Sequence, residues 1–346
     1  MQRVYVITGI GGHLGNTVAR DLLLCGATVR GFARPNEDVT MLYGDAVSIV
    51  RGDVRDKTSL EPLFYGLTEA DEVIVIHCAG IVTVATKYDQ NVVDVNVSGT
   101  QNVVNLCKEH HVKKLVYISS VHALPELPEG DIMHEITGFQ PDSVFGLYAK
   151  TKSQATQIVL DAAKDGLDAT VIQPSGIIGP NDYGHGHLTQ MIISYLNGSL
   201  TACVNGGYDF VDVRDVADGV IAATEKGKKG ECYILSNRYI PVRDLLNALS
   251  RVTGGRKITT ILPMWFAKLT APLAEFYYKI RHEAPLYTRY SLYTLTSNAR
   301  FTNEKAKRDL GFKVRDINVT LRDTVRFLTN ERKSLFRPRS LACIHA

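Results

Sequence analysis

The segment GLYAKTKSQA, residues 146–155, carries a tyrosine and a lysine four residues apart, Tyr148 and Lys152. Residues at positions i and i+4 lie on one face of a helix, so the two side chains could act together. A tyrosine hydroxyl has an ordinary pKa of about 10, too high for ready proton exchange at neutral pH. A neighbouring ammonium group favours the phenolate and lowers that pKa. The pair is a candidate acid–base group, but the same spacing occurs on many helices without chemistry, so its context must decide.

A glycine-rich turn near the start of the chain indicates a second kind of chemistry. TGIGGHLG, residues 8–15, follows the strand-like run RVYVIT and precedes a helical pattern. Gly9, Gly12 and Gly15 permit a tight turn, a close approach of backbone to a pyrophosphate, and close packing of helix on strand. The free N–H groups and the dipole at the start of the helix then favour a phosphate. The sequence therefore predicts a nucleotide-binding turn.

The first half of the chain alternates between strand-like and helix-like segments. The strand-like runs are RVYVIT, TVRGFA, VSIVRG, DEVIVIHCAG, KLVYISS and ATVIQPSG; the helices between them include segments near 56–64 and 88–110 and the one that carries Tyr148. Such alternation predicts an α/β fold, a doubly wound parallel sheet (Rossmann) with helices on both faces. After about residue 174 the rhythm breaks, and from about 237 helices dominate, which predicts a smaller, mostly helical C-terminal substrate domain.

We expect each of the two domains to combine two segments of the chain. Residues 1–173 and 210–236 form the dinucleotide-binding domain, because CYILS looks like a return to the sheet. Residues 174–209 and 237–330 form the substrate domain. The remaining residues, 331–346, are basic and lack an apolar period, which predicts a frayed tail.

Composition and charge restrict the partners of the protein. The 346 residues are 45% apolar and 22% charged, and the net charge of +3 gives no argument for nucleic acid. The start of the chain has no signal-peptide pattern, and charges interrupt the apolar segment PMWFAKLTAPLAEFYYKI, so we expect no integral membrane segment. Trp265, Leu269 and Leu273 recur in that segment at helical spacing, as do Phe276 and Ile280. Core packing is the favoured interpretation, with a lid or contact with a membrane surface as the alternative.

Cysteine and histidine spacing indicate neither disulfides nor a metal site. The six cysteines include no CxxC pair, which is typical of a protein in a reducing cytoplasm. The histidines of HGH, His185 and His187, have only Asp182 nearby as a further ligand. A surface or pocket loop therefore explains them better than a metal site does.

The spacing TGxxGxxG, together with YAKTK, resembles the extended short-chain dehydrogenases/reductases, the group of the NAD-dependent epimerases and dehydratases. RGDVRD, IHCAG, VNVSGTQNVV, LVYISS, QPSGIIGP and FVDVRDVADG resemble further motifs of that group, and the likeness covers roughly residues 1–330. It is greatest to the dihydroflavonol reductase and 3β-hydroxysteroid dehydrogenase-like branch. The resemblance implies a catalytic set of Ser120, Tyr148, Lys152 and Asn96. With Arg34 added from the cofactor argument below, the expected cofactor contacts are Gly9, Gly12, His13, Leu14, Gly15, Arg34, Asp53, Val54, Cys78, Ala79, Gly80, Tyr148, Lys152, Pro174 and Ile177.

The resemblance also implies a role for each catalytic residue. Tyr148 exchanges a proton with the substrate oxygen, and Lys152 additionally holds the nicotinamide ribose. Ser120 is the second serine of LVYISS and hydrogen-bonds the substrate oxygen, whereas Ser119 makes structural bonds. Asn96 either takes a direct part or binds backbone. His122 either lines the pocket or has no chemical role.

The end of the second strand bears on the choice of cofactor. An acidic residue there suits the ribose of NAD, whereas arginine accommodates the 2′-phosphate of NADP. In TVRGFARPNED the predicted strand ends at Arg34, and Glu37 and Asp38 follow beyond Pro35, so we expect them in the loop and away from the ribose. The sequence favours NADP, with NAD as the alternative.

Two chemical groups within the family differ in how they hold the substrate. Nucleotide-sugar enzymes use an Asn and an Arg to hold the diphosphate, and this chain has Gly176 and Tyr208 at those positions. It looks more like the reductases, although Gln173 stands where that group often has Arg. We expect an oxidoreductase for a ketone or secondary alcohol on a bulky apolar small molecule, with Trp265, Phe266 and PLYTRYSLYTL as candidate pocket walls. A sugar epimerase or dehydratase is the alternative, and a non-catalytic nucleotide sensor is a third class. The resemblance further implies a homodimer formed through the helices 88–110 and 146–165.

Overall fold

The computed structural model describes residues 2–85, 87–280 and 288–335, with backbone alone at 40, 41, 272, 274–280 and 331–335. The strands are β1 (Arg3–Thr8), β2 (Thr28–Ala33), β3 (Ser48–Arg51), β4 (Glu72–His77), β5 (Lys114–Ile118), β6 (Ala169–Pro174), β7 (Gly176–Ile178), β8 (Ala202–Val204), β9 (Gly207–Asp212), β10 (Cys232–Leu235), β11 (Arg238–Pro241) and β12 (Thr260–Leu262). The α-helices are α1 (His13–Leu24), α2 (Thr40–Tyr43), α3 (Lys57–Leu60), α4 (Gln90–Val93), α5 (Gly99–Glu109), α6 (Leu147–Lys164), α7 (His187–Leu196), α8 (Val213–Lys226), α9 (Val242–Thr253), α10 (Met264–Ile280), α11 (Arg289–Thr296), α12 (Glu304–Leu310) and α13 (Ile317–Leu335). Short 3₁₀ turns lie at Glu61–Phe64, Val121–Ala123 and Pro141–Ser143, and a π-helical segment, Asp94–Ser98, joins α4 to α5.

Seven strands form a parallel sheet in the order β10-β6-β5-β4-β1-β2-β3. Along β1, Val4 and Val6 point into one apolar core, while Tyr5 and Ile7 point into the other. The first core also contains the apolar faces of α5 and α6, and the second contains those of α1 and α8. Both faces of the sheet are therefore covered, which explains the continuous apolar runs of its strands. The predicted doubly wound α/β fold is confirmed.

The order of the strands reverses between β1 and β4, which are neighbours in the sheet although β2 and β3 separate them in sequence. In open parallel sheets, ligands bind at such a switch point, outside the carboxyl ends of the strands. The glycine turn follows β1, and the segment Cys78–Gly80 follows β4, so both predicted cofactor segments lie at this position.

A third apolar core lies beyond the central sheet. It combines residues of α7, α9 and α13 with those of β9 and β11. Strand β9 pairs with β7 and β11 in a three-stranded sheet, and β8 pairs with β12. From residue 237 onward helices dominate, as the sequence predicted. Helix α13 reaches Leu335, inside the segment predicted as tail, and residues 336–346 lie outside the described residues.

Helix α10 corrects one prediction from the sequence. Trp265, Leu269 and Leu273 are not core residues, since 69%, 68% and 71% of their surfaces are exposed. The helix instead buries Ala267 and Ala271 against Leu292 of α11. Their small side chains allow close packing of the two helices, which turns the larger apolar side chains outward. The side chains of Phe276 and Ile280 lie outside the described residues.

Within the described ranges, no helix has both the length and the apolarity needed to cross a membrane.

Candidate active site

The glycine turn brings β1, α1 and the segment after β4 into close contact. Gly9 has φ +68°, and a Cβ there would lie 2.7 Å from the backbone nitrogen of Ala79. A Cβ at Gly15 would lie 2.3 Å from the carbonyl oxygen of Gly9. Helix α1 begins at His13, and Gly12 before it provides no side-chain cap for the first N–H groups. The turn therefore forms a cradle without side chains at the start of a helix, which fits a pyrophosphate.

His13 and Leu14 support this turn. The Nε2 atom of His13 lies 3.0 Å from the carbonyl oxygen of Pro180, so this nitrogen carries the ring proton and donates it. Burial lowers the pKa of His13. The ring therefore anchors the turn to the loop after β7, and Leu14 packs into the core beside α8.

The segment Cys78–Gly80 runs along the turn from the side of β4. The backbone N–H of Cys78 donates to the carbonyl of Thr8 over 3.1 Å, and that of Ala79 donates to the Thr8 hydroxyl over 3.3 Å. Burial raises the pKa of the Cys78 thiol to about 12, so it stays protonated at neutral pH. Cys78 is thus a packing residue, and this segment contributes backbone to the candidate cofactor site.

The end of β2 differs from the sequence-based expectation. Arg34 follows the strand directly, and 80% of its side chain is exposed, with Nε 3.5 Å from Glu37. Glu37 folds back: its carboxylate accepts from the Arg34 N–H over 3.2 Å, and Oε1 would lie 2.3 Å from a Cβ at Gly11. The chain reverses at Pro35, so Glu37 does reach the glycine turn. A basic and an acidic side chain therefore border the place expected for the adenosine ribose.

Arg51 at the end of β3 holds this loop in place, a role that sequence analysis missed. Its Nη1 donates to the carbonyl oxygens of Arg34, Pro35 and Glu37 over 3.3, 3.4 and 2.6 Å. The residue is the first of RGDVRD, but nothing in that motif indicates that its guanidinium binds the loop after β2.

Asp53 and Val54 lie beyond β3, where the sequence analysis expected contacts with the cofactor. The guanidinium of Arg55 donates hydrogen bonds to both oxygens of the Asp53 carboxylate and lowers the pKa of Asp53. Val54 is buried and packs against Gly99, where a Cβ would approach it to 2.7 Å. The pair forms a fixed edge between β3 and α5.

Tyr148 lies in the first turn of α6 and faces Ser120 at the end of β5. Burial raises the pKa of Tyr148 to about 12, and a hydrogen bond with the Ser120 side chain opposes that rise. The sequence analysis expected Lys152 to lower the pKa of Tyr148, but in the structure burial dominates this pKa. Ser119 points away and shares a hydrogen bond of 2.6 Å with Thr156. Of the two serines, Ser120 is therefore the one beside Tyr148.

Lys152 lies one turn further along α6 and is 5% exposed. Its Nζ donates to the carbonyl of Ile118 over 2.7 Å and would lie 3.4 Å from a Cβ at Gly80. Burial lowers its pKa to about 8. The ammonium therefore bridges the end of β5 and the segment after β4, between Tyr148 and the switch point.

Asn96 lies in the π-helical segment, and all its side-chain contacts are internal. Its Oδ1 accepts from the N–H of Ile81 over 2.7 Å, and its Nδ2 donates to the carbonyl of Ile81 and to the hydroxyl of Thr151. Such π-bulges are frequent at functional sites because they redirect a side chain. Asn96 thus ties the segment after β4 to α6, next to Lys152.

Pro174 and Ile177 flank the carboxyl end of β6. Pro174 is the last residue of that strand, and Ile177 lies on β7 and packs against the core beside α1. Gln173 next to them is fully buried, and neither side-chain atom of its amide has a hydrogen-bond partner among the described residues. The structure gives no reason for a glutamine at this position.

Three aromatic residues from distant parts of the chain form a cluster that contacts Tyr148 through His122. His122 lies with its ring edge toward Tyr148, at 5.9 Å between centroids. Its Nε2 is 2.9 Å from the hydroxyl of Tyr208, and its Nδ1 is 3.3 Å from the hydroxyl of Tyr290. The ring of Tyr290 also fills the space beside Gly146, where a Cβ would approach it to 2.2 Å. Of the suggested pocket walls, Tyr290 therefore reaches the site.

We compared this chain with known proteins. The results agree with the features of the site described above, which are the glycine cradle, Lys152 and Tyr148. A model of the NAD-dependent epimerase/dehydratase family matches residues 5–236. The chain belongs to this family. Sterol demethylase protein B of Methylococcus capsulatus is 30% identical over 312 residues, which cover 88% of this chain and 92% of that protein. The crystal structure of gox2253 matches with a TM-score of 0.80 and 29% identity, over 95% of this chain and 98% of the other.

The chain is also similar to the 4-hydroxy-2-methyl-3-oxo-4-farnesyl-3,4-dihydroquinoline-1-oxide ketoreductase of Stigmatella aurantiaca. It is 26% identical over 316 residues, which cover 88% of this chain and 90% of that protein. The family resemblance seen in the sequence is therefore confirmed, and the chain is a member of an NAD-dependent enzyme family.

Proposed function

We propose that this protein is an NAD(P)-dependent oxidoreductase that transfers a hydride between nicotinamide and a ketone or secondary alcohol of a bulky, apolar, uncharged molecule. The observation that carries the proposal is the wall of Tyr208, His122 and Tyr290 beside Tyr148. Burial lowers the pKa of His122 to about 4, so this wall is neutral at neutral pH. A neutral aromatic wall favours an apolar ring system and offers no positive charge to balance a diphosphate.

The chain's own residues fit the cofactor of the family. The backbone cradle at Gly9–Gly15 would hold the pyrophosphate, and Asp53 with Val54 would border the adenine. The segment Cys78–Gly80 and Lys152 would border the nicotinamide ribose, with Pro174 and Ile177 nearby. When bound, the nicotinamide supplies or accepts the hydride.

Tyr148 would exchange a proton with the substrate oxygen, and Ser120 would hydrogen-bond that oxygen. In reduction, Ser120 donates a hydrogen bond to the carbonyl oxygen, and Tyr148 gives that oxygen its proton. In oxidation, Tyr148 takes the proton from the alcohol. The ammonium of Lys152 would favour the tyrosinate that reduction leaves behind, and Asn96 would act as a positioning residue for Lys152.

The alternative is a nucleotide-sugar epimerase or dehydratase of the same family. That chemistry needs amide or cationic partners for a diphosphate, which cannot be buried unpaired. A Cβ at Gly176 would lie 2.9 Å from the carbonyl oxygen of Asp209 and 3.0 Å from the ring of Tyr208, so an asparagine does not fit there without a backbone shift. Tyr208 occupies the position of the arginine and is bound to His122.

Two measurements test the proposal. Turnover of a panel of steroid and flavonoid ketones with NADPH, followed by absorbance, should reveal activity that Tyr148→Phe lowers by about a hundred- to ten-thousand-fold while binding cofactor nearly as tightly. Tyr65→Phe, which removes the hydroxyl of a tyrosine that is 67% exposed and lies outside the candidate site, serves as control. If Tyr148→Phe turned over substrate at the wild-type rate, Tyr148 could not be the acid. Calorimetry with UDP-glucose on the cofactor-loaded enzyme should show no binding at millimolar concentration, and micromolar binding would support the epimerase.

We extend the proposal to NADP as the preferred cofactor, supported by Arg34 directly after β2, and to the homodimer that the family resemblance implies. Light scattering tests the dimer, which should have twice the chain mass of 38.2 kDa.

A further inference from the structure

His122, Tyr208 and Tyr290 form a hydrogen-bonded cluster, here called the His122 cluster, in which one O–H donor has no acceptor within the cluster. A neutral imidazole has one N–H donor and one acceptor nitrogen. One of its two tyrosine partners must therefore donate to the ring, and the other must accept from it. The tyrosine that accepts keeps its own phenolic proton, whichever tautomer the ring adopts.

This phenolic proton has no acceptor among the residues that the structure describes. Among the described residues, the hydroxyl of Tyr208 has a side-chain hydrogen bond to Nε2 alone, and that of Tyr290 to Nδ1 alone. Tyr290 is 3% exposed, and His122 and Tyr208 are partly exposed. Leaving a buried donor without a partner costs about 1–3 kcal/mol. A ligand that brings an oxygen to this wall would therefore regain that free energy.

We propose that His122 fixes Tyr208 and Tyr290 as a recognition site for a second, uncharged oxygen of the substrate, next to the carbonyl that Tyr148 serves. This inference rests on the proposed function and names a feature of its substrate. His122 is a positioning residue, because it acts through the two tyrosines. His122, which binds both tyrosine hydroxyls, lies with its ring edge toward Tyr148 at 5.9 Å between centroids. The second oxygen would thus lie near the reacting one, as in an α-hydroxy ketone.

A matched pair of ketones tests this. Dihydroquercetin and eriodictyol share a ring system and a ketone, and differ in one hydroxyl adjacent to that ketone. Binding of each to the enzyme loaded with oxidised cofactor gives affinity without turnover, and kcat/KM with NADPH gives the rate. Wild type should prefer the hydroxylated ketone by about tenfold, the size of one neutral hydrogen bond. Equal affinity for both, or no binding of either at millimolar concentration, would overturn the inference.

The variants separate this site from the catalytic one. The double variant that combines Tyr208→Phe and Tyr290→Phe should bind the two ketones about equally, because no phenolic proton remains in the cluster. His122→Phe should reduce the preference by freeing the two hydroxyls, and His122→Gln, which keeps a donor and an acceptor, should restore part of it. Tyr65→Phe, on the surface, should keep the full preference. Cofactor affinity, measured in parallel, reports correct folding of each variant.

A preference that survives in the double variant overturns the role of the tyrosines. Loss of all turnover in Tyr148→Phe, with the preference in binding intact, would support both proposals. Turnover in Tyr148→Phe equal to wild type would overturn the proposed function and leave the binding preference to be judged on its own.

Discussion

At the scale of single residues, burial decides the protonation of the candidate site. It raises the pKa of Tyr148 to about 12 and lowers that of Lys152 to about 8. Tyr148 therefore remains a proton donor across the working pH range, and Lys152 is the group that titrates within it. The sequence suggested that the ammonium would dominate the tyrosine, whereas in the fold the removal of water has the larger effect.

The first prediction concerns the pH dependence of reduction. Lys152 is charged below a pH of about 8 and neutral above it. We expect kcat/KM for ketone reduction to fall as the pH rises through 8, because the charge that favours the tyrosinate is lost. Lys152→Met should show weak cofactor binding and a low rate at every pH, without this step. A flat profile for the wild type between pH 6 and 10 would contradict the role of the ammonium.

The second prediction concerns the two side chains at the end of β2. A charge-assisted hydrogen bond to a phosphate is worth roughly 1.5–3 kcal/mol. Arg34→Ala should therefore weaken NADPH at least about tenfold more than NADH. Glu37→Gln should move the preference the other way, because its carboxylate repels a 2′-phosphate and accepts from a ribose hydroxyl. Fluorescence titration with both cofactors measures each shift, and equal losses of NADPH and NADH in Arg34→Ala would exclude a contact with the phosphate.

At the scale of elements, α10 shows how a helix can present its larger apolar side chains to solvent. Its contact with α11 is made by alanines, which permit a short distance between the helix axes. A sequence pattern reports which residues share a face of a helix, but it does not report which face has a neighbour.

The third prediction tests this orientation. Ala271→Leu should lower the free energy of unfolding by about 1–3 kcal/mol, because added methylenes have no room against Leu292. Leu269→Ser removes a larger apolar side chain, yet should change stability by only about 0.5 kcal/mol, since that side chain is exposed. Urea unfolding of the two variants would give the opposite ranking if the helix were turned with its leucines inward.

At the scale of the whole molecule, one buried carboxyl links the small sheet to the strand end after β6. Asp209 on β9 is 1% exposed and accepts from the Ser175 hydroxyl over 2.5 Å and from the Asn237 N–H over 2.9 Å. Its other oxygen has no partner among the described residues. Burial raises the pKa of Asp209 to about 6 from an ordinary value of 3.8.

The fourth prediction follows from the sign of that shift. The folded state binds this proton more tightly than the unfolded state, so its contribution to stability is full below pH 3.8 and is lost as the pH rises through 6. Asp209→Asn should therefore gain about 1–1.5 kcal/mol relative to wild type on going from pH 5 to pH 8. Thermal unfolding at the two pH values measures this difference. Asp161→Asn on the surface should show no gain of that sign, because Lys164 lowers the pKa of Asp161.

The sequence by itself determined the features that depend on neighbours along the chain. The glycine turn, the alternation of strands and helices, and the shared face of Tyr148 and Lys152 all follow from local conformation and from the periods of 2.0 and 3.6 residues. Ser120 could be chosen over Ser119 because the family resemblance assigns the role to the second serine of LVYISS. The doubly wound sheet then follows, because parallel strands need crossover helices.

Only the tertiary structure decided the contacts between distant residues. His122 meets Tyr208 across 86 positions and Tyr290 across 168, and no local pattern links such residues. Asn96 is bound by Ile81 and Thr151, and Glu37 reaches Gly11 because the chain reverses at Pro35 and Arg51 holds the loop. The outward turn of α10 likewise depends on what packs against it. Such contacts arise from the balance of packing and hydrogen bonding over the whole fold, which the order of residues determines only through the folded chain.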